Sequence, residues 1–146
     1  MRKTFAIAFL AVTLLVGAVT YALAQVERIA PAEDVTLYII TPAHGEVVTG
    51  PFVVRFGLRG MGVAPAGVDH PNTGHHHLLI NLPLSEVDLS MPLPFIDETR
   101  HLGGGQTELV LDLEPGTYTL QALFGDYRHI PFDPPVVSEV ITVTVR

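Results

Sequence analysis

Proline and glycine divide the chain into short segments in which apolar and polar residues alternate. The clearest alternation puts Phe52, Val54 and Phe56 on one face of an extended segment. Such segments predict strands over residues 35–40, 51–58, 75–81, 107–113, 117–124 and 137–145. No part of the chain has a convincing helical period. Short strands separated by turns are typical of an antiparallel β-sandwich, and we expect about seven strands in an immunoglobulin-like arrangement.

A tyrosine after a tight turn supports this fold class. In residues 113–118, Pro115 and Gly116 form a turn, and Tyr118 opens the strand that follows. The pattern resembles the tyrosine corner of immunoglobulin-like sandwiches, in which the hydroxyl bonds to the backbone upstream. The chain has no cysteine and no tryptophan. A fibronectin-type or other cysteine-free sandwich is therefore the nearer comparison.

The first residues have the pattern of a secretory signal peptide. Arg2 and Lys3 precede an apolar stretch over residues 5–19, and Ala22-Leu23-Ala24 offers a small-x-small cleavage site. We predict a signal peptide over residues 1–24, a short polar lead over 25–34 and a single β-sandwich domain over 35–146. An uncleaved membrane anchor is the alternative. Cleavage would give a periplasmic or secreted protein with no membrane insertion.

Charge and composition exclude several classes of function. Removal of Arg2 and Lys3 would leave six basic residues against fifteen acidic ones, a net charge of −9. Such a charge argues against nucleic acid and anionic membrane surfaces as partners. Without cysteine the chain has neither disulfides nor thiolate chemistry. None of its serines lies in a Gly-x-Ser-x-Gly elbow, so a serine hydrolase is not expected.

Three consecutive histidines, His75, His76 and His77, open a predicted strand. Because side chains on a strand alternate, His75 and His77 share one face, while His76 shares the other with Leu78 and Ile80. If Leu78 and Ile80 point into the core, His75 and His77 point outward, about 6.5 to 7 Å apart. Such a pair offers two imidazoles to one metal ion. His76 is instead expected to be buried and hydrogen bonded.

Two further histidines lie in loops that an antiparallel topology brings toward the triplet. His101 precedes a glycine run, and His129 lies in the loop after the strand over residues 117–124. The predicted metal ligands are His75, His77, His101 and His129, with Asp126 or Glu108 as candidate oxygen ligands. An all-imidazole set suits copper or zinc. Three protein ligands would leave a position open for catalysis, and four would indicate a structural or storage site.

The predicted function is an exported binding module that holds a divalent transition metal, copper or zinc. A metal-dependent redox or hydrolytic enzyme is one alternative. A metal-free structural module, with an envelope protein as its partner, is another. The histidines could also be polar residues at a strand edge, or bind a small anionic or sugar ligand. His44 and His70 are expected to be ordinary loop residues.

Four ordered motifs resemble a known family. They lie at residues 57–67, 72–80, 101–108 and 125–138, and the resemblance covers nearly all of the predicted mature chain. Together they are similar to the bacterial exported family known as domain of unknown function 4399. The resemblance implies an exported, single-domain protein. Members often carry His-x-His before the glycine run and more histidines in the Asp-Pro-Pro loop, where this chain has Thr99 and Phe132.

Overall fold

The computed structural model describes residues 26–146, which form two β-sheets packed face to face. The strands are β1 (Thr36–Thr41), β2 (Val47–Val48), β3 (Phe52–Arg59), β4 (Gly62–Val63), β5 (Thr73–Ile80), β6 (Thr99–His101), β7 (Glu108–Leu111), β8 (Gly116–Gly125) and β9 (Ile141–Val145). One sheet has the order β1-β3-β7; the larger has the order β2-β9-β8-β5-β4, with β6 also paired to β5. Apart from two short parallel pairings, β2 with β9 and β4 with β5, the strands pair antiparallel. The predicted antiparallel β-sandwich is confirmed.

The predicted signal peptide over residues 1–24 lies outside the described residues. In the part of the chain that is described, no helix is long and apolar enough to cross a membrane.

The main hydrophobic core fills the space between the sheets. Phe52, Val54 and Phe56 of β3 are buried there, and Leu78 and Ile80 of β5 meet them from the larger sheet. Fully burying a side chain of this size stabilises the fold by about 1.5–3 kcal/mol. The alternation in the sequence therefore decides which face of each strand turns inward.

The opposite face of β5 is also covered. Leu79 packs with Leu93 and Leu123 in a second apolar cluster, beneath side chains from residues 82–89. Every residue of β5 after Thr73 is buried. The prediction that His75 and His77 face solvent is therefore wrong, because a second layer encloses the side of β5 that the main core leaves free.

Strand β6 lies between the predicted strands over residues 75–81 and 107–113, in a stretch for which the sequence predicts no strand. A 3₁₀ helix forms in the same stretch, at Leu84–Glu86. Strand β6, however, was not predicted; it pairs with β5, with His101 opposite His77. Three residues show too little alternation to be recognised, and strand conformation here depends on the neighbouring strand.

The pairing of β5 with β8 places the loop that follows β8. His75 lies opposite Gly125, the last residue of β8. The chain therefore enters the loop over residues 126–135 beside the first half of β5. This confirms that the loop and the histidine triplet lie at the same end of the sandwich.

The lead before β1 is held against that loop. Arg28 donates a hydrogen bond from Nε to the carbonyl oxygen of Pro131 at 3.0 Å, and its guanidinium lies 3.4 Å from a carboxylate oxygen of Asp133. The backbone N–H of Asp133 donates to the carbonyl oxygen of Ile29 at 2.9 Å. The lead is therefore part of the folded unit.

Tyr118 makes the hydrogen bond that the tyrosine corner requires. Its hydroxyl donates to the carbonyl oxygen of Glu114, four residues upstream, at 2.9 Å. The bond ties the turn before β8 to the start of that strand.

We expect Tyr118→Phe to lower the free energy of unfolding by about 1 kcal/mol, because one hydrogen bond is lost while the ring stays in place. Chemical denaturation monitored by circular dichroism measures the change. Tyr38→Phe is the control, since Tyr38 lies on the exposed side of β1. Equal stability of the Tyr118→Phe variant and the wild type would contradict a stabilising corner.

Candidate metal centre

His75 and His77 lie side by side on the face of β5 that turns away from the main core. Their ring centroids are 4.5 Å apart, and both side chains are fully buried. The alternation of the strand brings them together, as the sequence predicts. Their burial depends on the tertiary structure, because other segments of the chain pack on this face of β5.

His129 joins this pair from the loop after β8. The loop closes tightly: the N–H of Asp126 donates to the carbonyl oxygen of Ile130 at 2.8 Å, and the N–H of His129 donates to that of Asp126 at 2.9 Å. His129 has a φ of 67°, in the left-handed region. Histidine is enriched there relative to most residues. This turn directs the imidazole back toward β5.

Gly125 makes room for the rings. A Cβ atom at this position would lie 2.6 Å from Cε1 of His77. Carbon atoms in contact are normally about 3.5–4.0 Å apart, so any side chain here would displace the imidazole. The absence of a side chain at Gly125 thus lets His77 and the His129 loop approach each other.

One nitrogen from each of His75, His77 and His129 lies within 4.8 Å of the other two. Nε2 of His75 and Nδ1 of His129 are 3.0 Å apart, a hydrogen bond in which one ring donates to the other. Metal–nitrogen bonds of about 2.0–2.1 Å separate ligand nitrogens by about 3.3 Å in a tetrahedron. Small shifts of the rings would bring the three nitrogens to that spacing, so the group could hold a metal ion.

His101 lies beside this group, across from His77 on β6. Its ring centroid is 4.6 Å from that of His77 and 5.3 Å from that of His129. Nε2 of His101 lies 3.2 Å from the carbonyl oxygen of Pro94. Because a carbonyl only accepts, Nε2 carries the proton and Nδ1 carries the free lone pair. A backbone carbonyl that fixes the tautomer in this way is a frequent partner of a metal-binding histidine.

Several imidazole nitrogens of this group have no partner. Nδ1 of His75 and Nδ1 of His101 are buried without a hydrogen bond to any residue within 26–146, and the ring of His77 has the backbone of Leu123 beside it. A buried polar atom without a partner costs about 1–3 kcal/mol. A ligand bound among the rings would satisfy such atoms.

Burial favours the neutral form of His75, His77 and His101. Burial lowers the pKa of His75 to about 4, and repulsion from His129 and His101 adds to this shift. Burial also lowers the pKa of His77 well below its usual range, with repulsion from His75 next. The pKa of His101 is lowered by burial, and its bond to Pro94 partly offsets this. Neutral imidazole is the form that binds a metal.

The two candidate oxygen ligands have other roles. Asp126 is buried, and its Oδ1 accepts from the N–H groups of Arg128 and Ile130 at 2.7 and 3.0 Å. Its Oδ2 accepts from the guanidinium of Arg128 at 2.9 and 2.7 Å. Asp126 thus organises the His129 loop. Glu108 lies on the smaller sheet, where it pairs with Arg55 at 2.7 Å.

His76 points into the main core, as predicted. Its ring stacks on Phe56 with centroids 5.0 Å apart and meets the edge of Phe124 at 5.1 Å. The hydrogen bond expected for it is missing: neither ring nitrogen has a partner among the described residues. Burial lowers the pKa of His76 to about 4.

Phe95 is a further residue of the site, and the sequence gives no sign of it. Its ring stacks on His101 with centroids 3.9 Å apart and approaches His129 at 5.7 Å. The side chain is 77 % exposed. It therefore lies at the boundary between the histidine cluster and solvent. His44 and His70, by contrast, are exposed loop residues outside the cluster, as predicted.

The sequence profile of the family described as Domain of unknown function (DUF4399) matches residues 54–146. The chain belongs to this family. The matched region contains all four clustered histidines, most of β3, all of β4 to β9 and the loop after β8. Comparison with curated proteins gives no match, and neither does comparison with solved structures. Membership of this family does not indicate a function, so the function must be inferred from the geometry of the site.

The lowered histidine pKa values predict acid sensitivity of the metal-free protein. Well above pH 6.5 these rings are neutral in both the folded and the unfolded chain, so their protonation does not lower the free energy of unfolding. As the pH falls from 6.5 toward 4, His75 and His76 bind protons in the unfolded chain but stay neutral in the folded chain, because their pKa values are lower there. The free energy of unfolding should therefore fall across this window, by about 1.4 kcal/mol for each pKa unit and histidine.

Urea titrations between pH 4 and 8 measure this dependence. His76→Leu, a change of similar volume, should make the decline shallower, whereas His70→Leu in an exposed loop should leave it unchanged. A stability that is flat from pH 7 to pH 4.5 would refute the assignment of buried neutral histidines.

Proposed function

We propose that this member of the DUF4399 family is an exported module that binds a transition metal ion, copper or zinc. The observation that carries the proposal is the group of His75, His77 and His129. One nitrogen of each ring lies within 4.8 Å of the other two, and His75 and His77 are fully buried. His101 adds a fourth imidazole whose free nitrogen is set by its bond to Pro94. The donor set is imidazole nitrogen throughout, which copper and zinc accept readily.

The partnerless nitrogens favour this function over a metal-free structural module. A purely structural core gains more from apolar side chains than from imidazoles whose polar atoms are left unsatisfied. The alternative of polar histidines at a strand edge is weakened for the same reason, because His75 and His77 are not in contact with water. The buried donor set is instead what a metal ion would use.

A storage or transfer role fits the donor set better than catalysis. In a catalytic metal site three protein ligands leave a position for water or substrate. Here His101 stands next to the three-histidine group, and the ring of Phe95 covers it from outside. Four imidazoles would complete a tetrahedral shell, and this supports binding of the ion as the function.

Metal titration of the purified protein, without a polyhistidine tag, tests the proposal. We expect one ion per chain with a Kd below about 1 μM. His129→Asn should weaken binding by about 100-fold or more, because asparagine tolerates the left-handed backbone but removes the imidazole.

Two variants serve as controls. His76→Leu changes the middle residue of the triplet, which faces the main core, and His70→Leu changes a loop histidine. Both should bind metal as the wild type does. Equal loss of binding in the His76→Leu and His129→Asn variants, with both folded, would contradict the assigned site.

We further propose that the protein acts in the periplasm or outside the cell. The support is the pattern of Arg2, Lys3, the apolar residues 5–19 and Ala22-Leu23-Ala24. Expression of the full chain in a bacterial host should give a mature protein that begins at Gln25, as measured by intact mass. Ala24→Arg should block the cleavage. Recovery of the uncut chain in the membrane fraction would indicate an anchor instead.

A further inference from the structure

Beyond its imidazoles, the histidine cluster contains no anionic ligand. Asp126 is the carboxylate whose charge acts on His75. Both of its oxygens are engaged by backbone N–H groups and by the guanidinium of Arg128, whose positive charge offsets that of the carboxylate. Within residues 26–146, the compact group of candidate ligands consists of histidines alone. None of these ligands carries a negative charge that would neutralise a bound ion.

That charge is expensive to bury. The electrostatic cost of moving an ion from water into a low-dielectric interior grows with the square of the charge, so a dication costs about four times as much as a monocation of equal size. His75 and His77 are fully buried, and Phe95 stands between His101 and solvent. Neutral ligands and enclosure together penalise a doubly charged ion.

Coordination preference also separates the two copper ions. Cu(II) prefers a tetragonal arrangement of ligands, whereas Cu(I), with a filled d shell, imposes none. The histidine cluster therefore need not supply a planar set of ligands to hold Cu(I).

We propose that the histidine cluster selects a monovalent d¹⁰ ion, cuprous copper, over Zn(II) and Cu(II). The inference rests on the proposed metal-binding function and narrows it to one ion. The selective feature is the absence of a compensating carboxylate, and Phe95 is the position where one can be introduced. Its side chain is exposed, so a polar residue is tolerated there, yet its ring touches His101.

A matched pair of variants isolates the effect of charge. Phe95→Glu and Phe95→Gln both remove the aromatic cover and have nearly the same shape, but only glutamate adds a negative charge at the mouth of the cluster. The affinities of wild type and variants for Cu(I) are measured without oxygen against a chromogenic Cu(I) chelator. Zn(II) affinities are measured against a zinc chelator, and Ag(I) serves as a monovalent ion that is inert to oxidation.

We expect the wild type to bind Cu(I) at least about 100-fold more tightly than Zn(II), and Ag(I) to bind at the same histidines, with loss in the His129→Asn variant. Phe95→Glu should raise Zn(II) affinity relative to Cu(I) by at least about tenfold over Phe95→Gln, because a nearby anion favours the dication more. Phe95→Gln, which removes the same aromatic cover without adding a charge, is the reference for this comparison.

The outcomes separate the two proposals. Zn(II) affinity equal to or above Cu(I) affinity in the wild type would overturn the cuprous selectivity and leave metal binding intact. An unchanged Cu(I)/Zn(II) ratio between the Glu and Gln variants would overturn the charge argument. Absence of any bound ion, with the protein folded, would overturn the metal-binding function itself and the selectivity with it. If Phe95→Glu fails to fold, the comparison of Cu(I) and Zn(II) affinities in the wild type still tests the proposed selectivity.

Discussion

The structure depends on the burial of β5 on both of its faces. Toward the smaller sheet, Leu78 and Ile80 complete the main core; away from it, Leu79 packs with Leu93 and Leu123. A strand that is enclosed in this way normally carries apolar residues at every position. This one carries three histidines at its beginning. The conflict between a fully buried strand and polar side chains is the constraint from which the candidate site follows.

The fold resolves the conflict differently for the two faces. His76 is accommodated between Phe56 and Phe124, where its ring makes aromatic contacts but no hydrogen bond within the described chain. On the other face, His75 and His77 meet His129, and the ring of His101 lies beside His77. The clustered histidines differ from His76 in one respect: several neutral imidazoles in one place could bind the same ion, and a single imidazole between two phenylalanines could not. Buried polar groups that break the local rules of a strand are typical of functional sites, and stability elsewhere compensates for them.

Asp126 and Gly125 show how the backbone serves the cluster. The sequence makes Asp126 a candidate oxygen ligand. In the structure its carboxylate instead closes the loop through hydrogen bonds from Arg128 and Ile130. Gly125 leaves space for His77 at the point where the chain turns. Both residues act on geometry. The compact group of candidate ligands therefore consists of imidazoles, without the carboxylates that hard cations such as calcium use.

The sequence alone determined the strands with clear alternation, the tyrosine corner, the family and the pairing of His75 with His77 on one face. Each follows from a local period or a local motif. Only the tertiary structure decided that this face is enclosed, that the three residues of β6 form a strand, and that Phe95 covers the cluster. These features depend on contacts between segments far apart in the chain. A strand's period tells which side chains share a face, and it does not tell what will be packed against that face.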